Sequence, residues 1–458
     1  MAPQPEEERW VQRLLRALAR WVLGVFFRRV EVEGHQHLPR DRPVLVVANH
    51  VNSLIDAVLL VGSLPRMPRF LGKSTLWKMK PLLPFLKAAR VIPVYRRQDP
   101  GVDASKNVET FAACYEALAA GESIALFPEG ISHNEPELQP LKTGAARIAL
   151  GAERRFGPLG VAIVPAGMTF DAKGRFRSRA LLRFGEAIEL EEGTDDEDRE
   201  AVQQLTTRIE KGIREVTLNY GSWSEARRLE RAVDLWALPA PSLPTRGQLS
   251  DRVKLRRAFL AGYRRLAREY PQRVARVEAA VSHYDDLLTA CGLRDDQVAA
   301  SYPRHLVARY LFHTLGLLLL RLPLALVGLV LNWLPYRIPG WIAAKMADKP
   351  DVQSTYKLFS ALFAFPLFWG LEAGLMGHFF GLWPALALLA LAPITGWQAL
   401  HFSERSGGFL AEARAYLLLH GRKDLAQELK SRRATILRQV SELVDLYLQD
   451  QAPSPTPS

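Results

Sequence analysis

The most constraining feature of the chain is a run of 43 residues, Leu358–Leu400, in which Glu372 and His378 are the only ionisable groups. A membrane-spanning helix needs about 20 apolar residues. The run therefore predicts two spans, Leu358–Phe380 and Gly381–Leu400. A separate apolar stretch, Tyr310–Leu331, carries Arg321 and Pro323. A charge at mid-span is costly in lipid and a proline weakens a helix. This first stretch is expected to re-enter or lie in the interface, leaving a hairpin as the spanning element. Arg337, Lys345, Lys349 and Lys357 lie between the apolar stretches, and Arg405, Arg414, Arg422 and Lys423 come after them. Basic flanks stay on the cytoplasmic side. An integral protein of an inner or cytoplasmic membrane is expected, with its large polar N-terminal part facing the cytoplasm.

That polar part leads a chain of 458 residues, long enough for two or three structural units. Its 60 Lys and Arg against 48 Asp and Glu leave a formal charge of +12. No zinc-finger spacing or aromatic–basic ribonucleoprotein motif accompanies that charge, which argues against nucleic acid and for an anionic membrane face or a phosphate-bearing partner. Cys114 and Cys291 are too far apart in sequence to suggest a disulfide scaffold or a cysteine metal site, and they fit a reducing compartment.

Residues 1–29 do not read as a secretory signal, because Glu6, Glu7 and Glu8 precede Trp10 and arginines interrupt the apolar positions beyond it. Trp10, Leu14, Leu18, Trp21 and Val25 recur at helical spacing, with Arg9, Arg13, Arg16 and Arg20 mainly on the other side. This predicts a basic amphipathic helix in a membrane interface. Residues 30–220 alternate β-type runs (Val44–Asn49, Val91–Tyr95, Ser123–Phe127, Val161–Phe170) with helical stretches (Leu54–Leu64, Ser105–Ala120, Thr143–Arg154, Asp198–Val216). The expected fold is α/β, a mostly parallel sheet covered by helices. A charged helical connector at 221–304, with Pro239, Pro241 and Pro244 marking a linker, leads into the C-terminal transmembrane region at 305–402. A polar amphipathic helix at 403–450 and a disordered Pro/Ser/Thr tail at 451–458 close the sequence.

Chemistry-bearing residues collect at the ends of the predicted strands. Val44–Asn49 runs directly into His50, and Asp56 opens the next helix. An aspartate that binds one imidazole nitrogen leaves the other free to take a proton. Phe127-Pro128-Glu129-Gly130 closes another strand, where an α/β sheet presents ligand-binding groups. Glu129 is a candidate to bond substrate hydroxyls. Arg96 and Arg97 follow Val91–Tyr95, and Lys142 precedes Thr143-Gly144; these cations can make charge-assisted contacts to a phosphate. Gly72-Lys73-Ser74 mimics the end of a P-loop, but Met67 occupies the required upstream glycine position. The sequence has no Gly-x-Ser-x-Gly elbow and no His-Glu-x-x-His zinc helix. His133 and His378 have no motif around them.

Four blocks occur in one order: Asn49-His50…Asp56, Val91-Ile92-Pro93-Val94-Tyr95-Arg96, Phe127-Pro128-Glu129-Gly130 and Val164-Pro165-Ala166-Gly167. Over residues 30–220 the chain resembles the glycerolipid acyltransferase superfamily, which includes glycerol-3-phosphate and lysophosphatidic acid acyltransferases. The Asn-Ser-Leu-Ile-Asp segment and the later membrane region resemble the fungal-type glycerol-3-phosphate/dihydroxyacetone-phosphate branch and its bacterial relatives. The resemblance implies His50 as base, Asp56 as its partner, and Arg96, Glu129 and Gly130 at the acceptor. It implies acyl transfer from acyl-CoA or acyl-ACP, as co-substrate, to a glycerol hydroxyl in phospholipid synthesis, with no cofactor and no metal. Another lysolipid head group is the alternative acceptor. A lipid-binding or lipid-moving protein with a degenerate domain is the rival of a different class.

One departure bears on the mechanism. The family pattern places four residues between His and Asp, whereas Val51-Asn52-Ser53-Leu54-Ile55 place five here. On a continuous helix, at roughly 100° per residue, the two side chains would point about 240° apart. They meet only if His50 precedes the helix and a turn at Asn52-Ser53 absorbs the extra residue.

Overall fold

The computed structural model describes residues 10–96, 99, 101–191, 195–237, 248–300 and 304–449. The acidic residues before Trp10, Arg97, the linker prolines and the C-terminal tail lie outside these. The chain divides into two units. One runs up to Gly221 and takes back Met346–Tyr356; the other comprises Ser222–Lys345 and the chain from Lys357 onward.

Among the described residues the first unit is built on seven strands: β1 Phe27–Glu33, β2 Val44–Ala48, β3 Arg69–Lys73, β4 Ile92–Val94, β5 Ile124–Leu126, β6 Ala162–Phe170 and β7 Ser178–Phe184. Their order across the sheet is β1-β7-β6-β2-β5-β3-β4. Every pairing is parallel except β6 with β7. The helices are α1 Trp10–Phe26, α2 Leu54–Ser63, α3 Leu83–Ala88, α4 Asn107–Ala119, α5 Gly144–Phe156 and α6 Arg199–Val216. This is the mostly parallel, helix-covered sheet that the alternating pattern predicts. Central strands covered on both faces must be apolar throughout, and all five residues of β2 are buried. Leu45 and Val47 pack with Leu118, Ile148, Ile163 and Ile209 in one core. Because β2 lies between β5 and β6, the loops leaving β2 and β5 open side by side at the strand C-terminal ends, where α/β sheets bind ligands.

Helix α1 turns its apolar stripe outward. Trp10, Leu14 and Trp21 are 71, 60 and 61% exposed, while Arg16 is buried. Arg16 donates to the Leu64 carbonyl at 2.6 Å and Arg20 to that of Gly62 at 3.1 Å, both at the end of α2. The packing side is formed by Arg16, Ala19, Leu23 and Phe26.

The second unit contains α7 Trp223–Ala237, α8 Leu249–Glu269, α9 Pro271–Cys291, α10 Asp295–Ala299, most of α11 Arg304–Met346 and of α12 Gln353–Phe380, then α13 Leu382–Gly421 and α14 Lys423–Gln449. Two stretches that read as separate regions in the sequence share one core here. Leu235, Val281, Tyr284 and Leu288 from the connector pack with Ala415, Leu429 and Ile436 from the C-terminal helices.

Among the described residues, three helices are long and apolar enough to cross a membrane, within 309–346, 350–380 and 382–421. The first of these runs unbroken through Pro323. Helix α11 continues for 43 residues through Pro323, Pro335 and Pro339, about 64 Å at 1.5 Å per residue against a hydrocarbon core of about 30 Å. A proline removes one helical hydrogen bond, and neighbouring helices can make good the loss. Asn332 ties the three helices together. Its amide donates to the Gly328 carbonyl at 2.9 Å and the Ala392 carbonyl at 3.4 Å, and its oxygen accepts from Trp369 Nε1 at 2.9 Å. At Gly328 a Cβ would stand 2.0 Å from the Thr395 carbonyl oxygen. Only glycine permits that approach, a packing habit of membrane helices.

Candidate active site

The site starts where β2 ends. Asn49 prolongs the pairing with β6 by side chain rather than backbone: its oxygen accepts from Met168 N at 2.7 Å and its amide donates to Met168 O at 3.2 Å. The main chain is then free to leave the sheet, and His50 is held by the loop after β5. His50 N donates to Glu129 Oε1 at 2.7 Å, and His50 O accepts from His133 N at 3.1 Å. The imidazole stacks on Phe127, with centroids 4.0 Å apart and planes inclined by 8°.

The turn absorbs the extra residue. Ser53 takes φ +45°, a conformation that side chains other than glycine rarely adopt, and α2 starts at the next position. His50 Nδ1 lies 3.0 Å from Asp56 Oδ2. The same oxygen accepts from Val51 N at 2.8 Å and Asn52 N at 2.7 Å. An oxygen receiving two N–H groups presents itself to Nδ1 as an acceptor, which places the ring proton on Nδ1. Nε2 makes no hydrogen bond among the described residues, and the His50 side chain keeps 19% of its surface exposed.

Both carboxylate oxygens of Glu129, expected at the substrate, bond groups of the protein. Its side chain is fully buried, with Oε1 on His50 N and Oε2 accepting from His133 Nε2 and from Gln139 N at 2.8 Å. His133 Nδ1 accepts from Glu135 N at 3.1 Å, so the ring proton sits on Nε2 and goes to Glu129. Glu129 and His133 fix the backbone on which His50 stands.

A second cluster lies beside Gly130. Arg96 leaves the end of β4, grips the Asp99 carboxylate through Nε and Nη2 at 3.0 and 2.8 Å, and donates to the Gly130 carbonyl at 3.0 Å. Lys142 N donates to Pro128 O at 2.8 Å. Its ammonium passes so close to Gly130, which has φ +71°, that a Cβ there would meet Nζ at 2.7 Å. The Arg96 guanidinium holds the Asp99 carboxyl below its ordinary range, and Lys73 and Lys142 act in the same direction. Lys73, at the end of β3, thus acts on the same carboxylate electrostatically.

Lys173, in the turn after β6, also escaped notice in the sequence. It donates to Asn134 Oδ1 at 3.2 Å. Burial pushes its ammonium below the ordinary lysine range, against the pull of Asp56, Asp351, Glu129 and Glu135.

A histidine–aspartate pair with one open nitrogen, next to a cationic group at the same sheet edge, is a site for moving a proton beside an anion. The family described as Acyltransferase matches residues 29–169, and the Glycerol-3-phosphate acyltransferase 2 C-terminal domain matches residues 240–448. The chain thus matches an acyltransferase domain followed by a glycerol-3-phosphate acyltransferase 2 C-terminal domain, in line with the resemblance read from the sequence. Glycerol-3-phosphate O-acyltransferase 2 of Saccharomyces cerevisiae is 30% identical over 57% of this chain and 37% of its own length. An uncharacterized acyltransferase of Schizosaccharomyces pombe is 27% identical over 72% of this chain and 52% of its own. The 1-acyl-sn-glycerol-3-phosphate acyltransferase of Bacillus subtilis is 26% identical over 41% of this chain and 87% of its own. The chain thus spans roughly a third to a half of the length of the two fungal relatives.

Proposed function

We propose that the chain transfers a fatty acyl group from an acyl thioester, acyl-CoA or acyl-ACP, to a glycerol hydroxyl of glycerol-3-phosphate or 1-acylglycerol-3-phosphate. The observation that carries this reading is the His50–Asp56 pair, joined at 3.0 Å with Nε2 left open at the end of β2. Nε2 takes the hydroxyl proton as the alkoxide oxygen attacks the thioester carbonyl. Collapse of the tetrahedral intermediate breaks the carbon–sulfur bond, and the departing thiolate recovers the proton from the imidazolium. Asp56 keeps the ring in the tautomer this requires and stabilises its charged form. Arg96, with Lys142 and Lys73 beside it, holds the acceptor phosphate by charge-assisted bonds. The outward apolar stripe of α1 and the three long apolar helices support catalysis at a lipid surface; the basic flanks of the apolar stretches favour the cytoplasmic side of an inner or cytoplasmic membrane.

Purified protein in phospholipid vesicles, given labelled palmitoyl-CoA and a panel of glycerol-3-phosphate, 1-acylglycerol-3-phosphate, glycerol and lysophosphatidylcholine, tests this reading. The expected result is acylation of a phosphate-monoester acceptor and little of free glycerol. Transfer indifferent to the phosphate overturns the acceptor assignment. No transfer from either CoA or ACP thioesters favours a lipid-binding role.

A further inference from the structure

Between the ends of α11 and α12 the chain returns to the catalytic unit as the short segment Met346–Tyr356. Asp351 and Ser354 of this segment are 2 and 0% exposed. Asp351 Oδ2 accepts from Ser132 Oγ at 2.6 Å and lies 3.4 Å from Ser53 Oγ. Ser132 Oγ in turn accepts from Ser53 N at 3.2 Å and Ser53 Oγ at 2.9 Å. Thr355 Oγ1 accepts from Leu54 N at 3.2 Å. Ser354 Oγ donates to Lys173 O at 2.8 Å, a carbonyl that Asn52 Nδ2 also meets at 3.5 Å. Asn52, Ser53 and Leu54 make up the joint that lets His50 face Asp56, and all three are held, directly or through one residue, by a segment some 300 positions later. Ser53 sits in the strained conformation at φ +45°, and such strain persists only where the surroundings over-determine it.

We propose that Asp351 is a positioning residue for the His50–Asp56 pair. By accepting from Ser132, which in turn accepts from Ser53, it fixes the joint at Ser53, and so the direction of the imidazole, without touching substrate. The proposal rests on reading His50 as the base. It requires an acceptor atom at position 351 more than a charge.

The test uses the full chain in vesicles, with Asp351→Ala, Asp351→Asn, Ser132→Ala and the Ser132→Ala/Asp351→Ala double variant. Asp351→Ala should lower kcat about tenfold while KM for donor and acceptor stays within about twofold, the mark of lost alignment rather than lost binding. Asp351→Asn keeps an acceptor oxygen and should recover about a third or more of the wild-type kcat. Members of one network are non-additive, so the double variant should be no worse than the poorer single one. A second readout does not need acyl transfer: carbethoxylation of His50 by diethyl pyrocarbonate, resolved by peptide mass spectrometry, should speed up about threefold or more in Asp351→Ala. Wild-type kcat and His50 reactivity in that variant overturn the proposal, as does a KM rise matching the loss in kcat, or additive losses in the double variant. If the wild-type chain transfers no acyl group, the reading of His50 as base fails, and the modification rates still decide whether Asp351 fixes the ring. If Asp351→Ala does not accumulate, Asp351→Asn and Ser132→Ala decide by the same readouts; wild-type behaviour of Ser132→Ala then counts against the network.

Discussion

His50 and Arg96 both sit just past the end of a parallel strand, yet their surroundings are opposites. Around His50, Asp56 and the stacked Phe127 hold the imidazole, two backbone N–H groups hold Asp56, Glu129 holds the His50 backbone, and one ring nitrogen is left open. Around Arg96, the guanidinium pairs with one carboxylate, that of Asp99, on which Lys142 and Lys73 act electrostatically, and the Arg96 side chain keeps 22% of its surface exposed. A group that moves a proton gains from fixed direction, because geometry enters the rate directly. A group that attracts a phosphate gains from charge and access, and a local counter-ion can keep it in place until the ligand arrives. The two ends of the site should therefore fail differently.

The largest difference should appear at the base. His50→Ala is expected to lower kcat by about 10²–10⁴, with the folded, inserted protein unchanged by circular dichroism and detergent extraction. Near-normal turnover in the purified variant would remove His50 from the mechanism. Asp56→Asn comes next, with kcat lower by about 10²: the amide can still fill the space but presents the ring with the wrong hydrogen-bonding partner. Steady-state kinetics should show this loss with little change in KM. At the cationic end, Arg96→Ala should raise KM for the phosphorylated acceptor about tenfold and leave that of the thioester nearly unchanged, the scale of one lost charge-assisted bond. Equal rises for both substrates would point to a folding role and dissolve the contrast.

Smaller effects test whether Asp99 competes with the ligand. Asp99→Asn releases Arg96 and should lower the acceptor KM about two- to threefold; a higher KM would mean that Asp99 orients the guanidinium instead. The pair also sets a pH dependence. Because the Asp99 carboxyl is held low in the folded protein, its contribution to stability is complete above the ordinary carboxylate range and is lost as pH falls through the depressed folded value. The melting-temperature difference between wild type and Asp99→Asn should therefore shrink on acidification through that region, and a difference that grows instead would contradict the pairing.

Strands β2, β5 and β6 were legible because buried strands read as short apolar runs. Strands β1, β3 and β7 were not. Phe27–Glu33 continues an arginine-rich helix and reads as its last turn, and Arg69–Lys73 is five residues with a charge at each end. In Ser178–Phe184 two arginines interrupt the pattern; Arg183 is paired with Glu33 on the neighbouring strand and Arg179 with Asp171, partners that local periodicity cannot supply. The site divided in the same way. His50, Asp56 and Arg96 announce themselves at strand ends, and the family resemblance names them. The burial of Glu129 beneath the backbone it supports, the convergence of Lys73 on Asp99, and the approach of Lys173 and Asp351 depend on chain crossings that no local pattern encodes.

The return of Met346–Tyr356 to the catalytic unit also bears on how this protein can be divided. A boundary drawn at Gly221 looks natural: the sheet is complete there, and the next residues begin a helical region of different composition. A fragment cut at that point would nevertheless lack the acceptors for Ser132 Oγ and Leu54 N, and would expose polar atoms buried in the whole chain. The acyltransferase half is thus continuous as a sheet but discontinuous as a folding module. Replacing this chain's C-terminal half would replace part of the catalytic unit's interior as well.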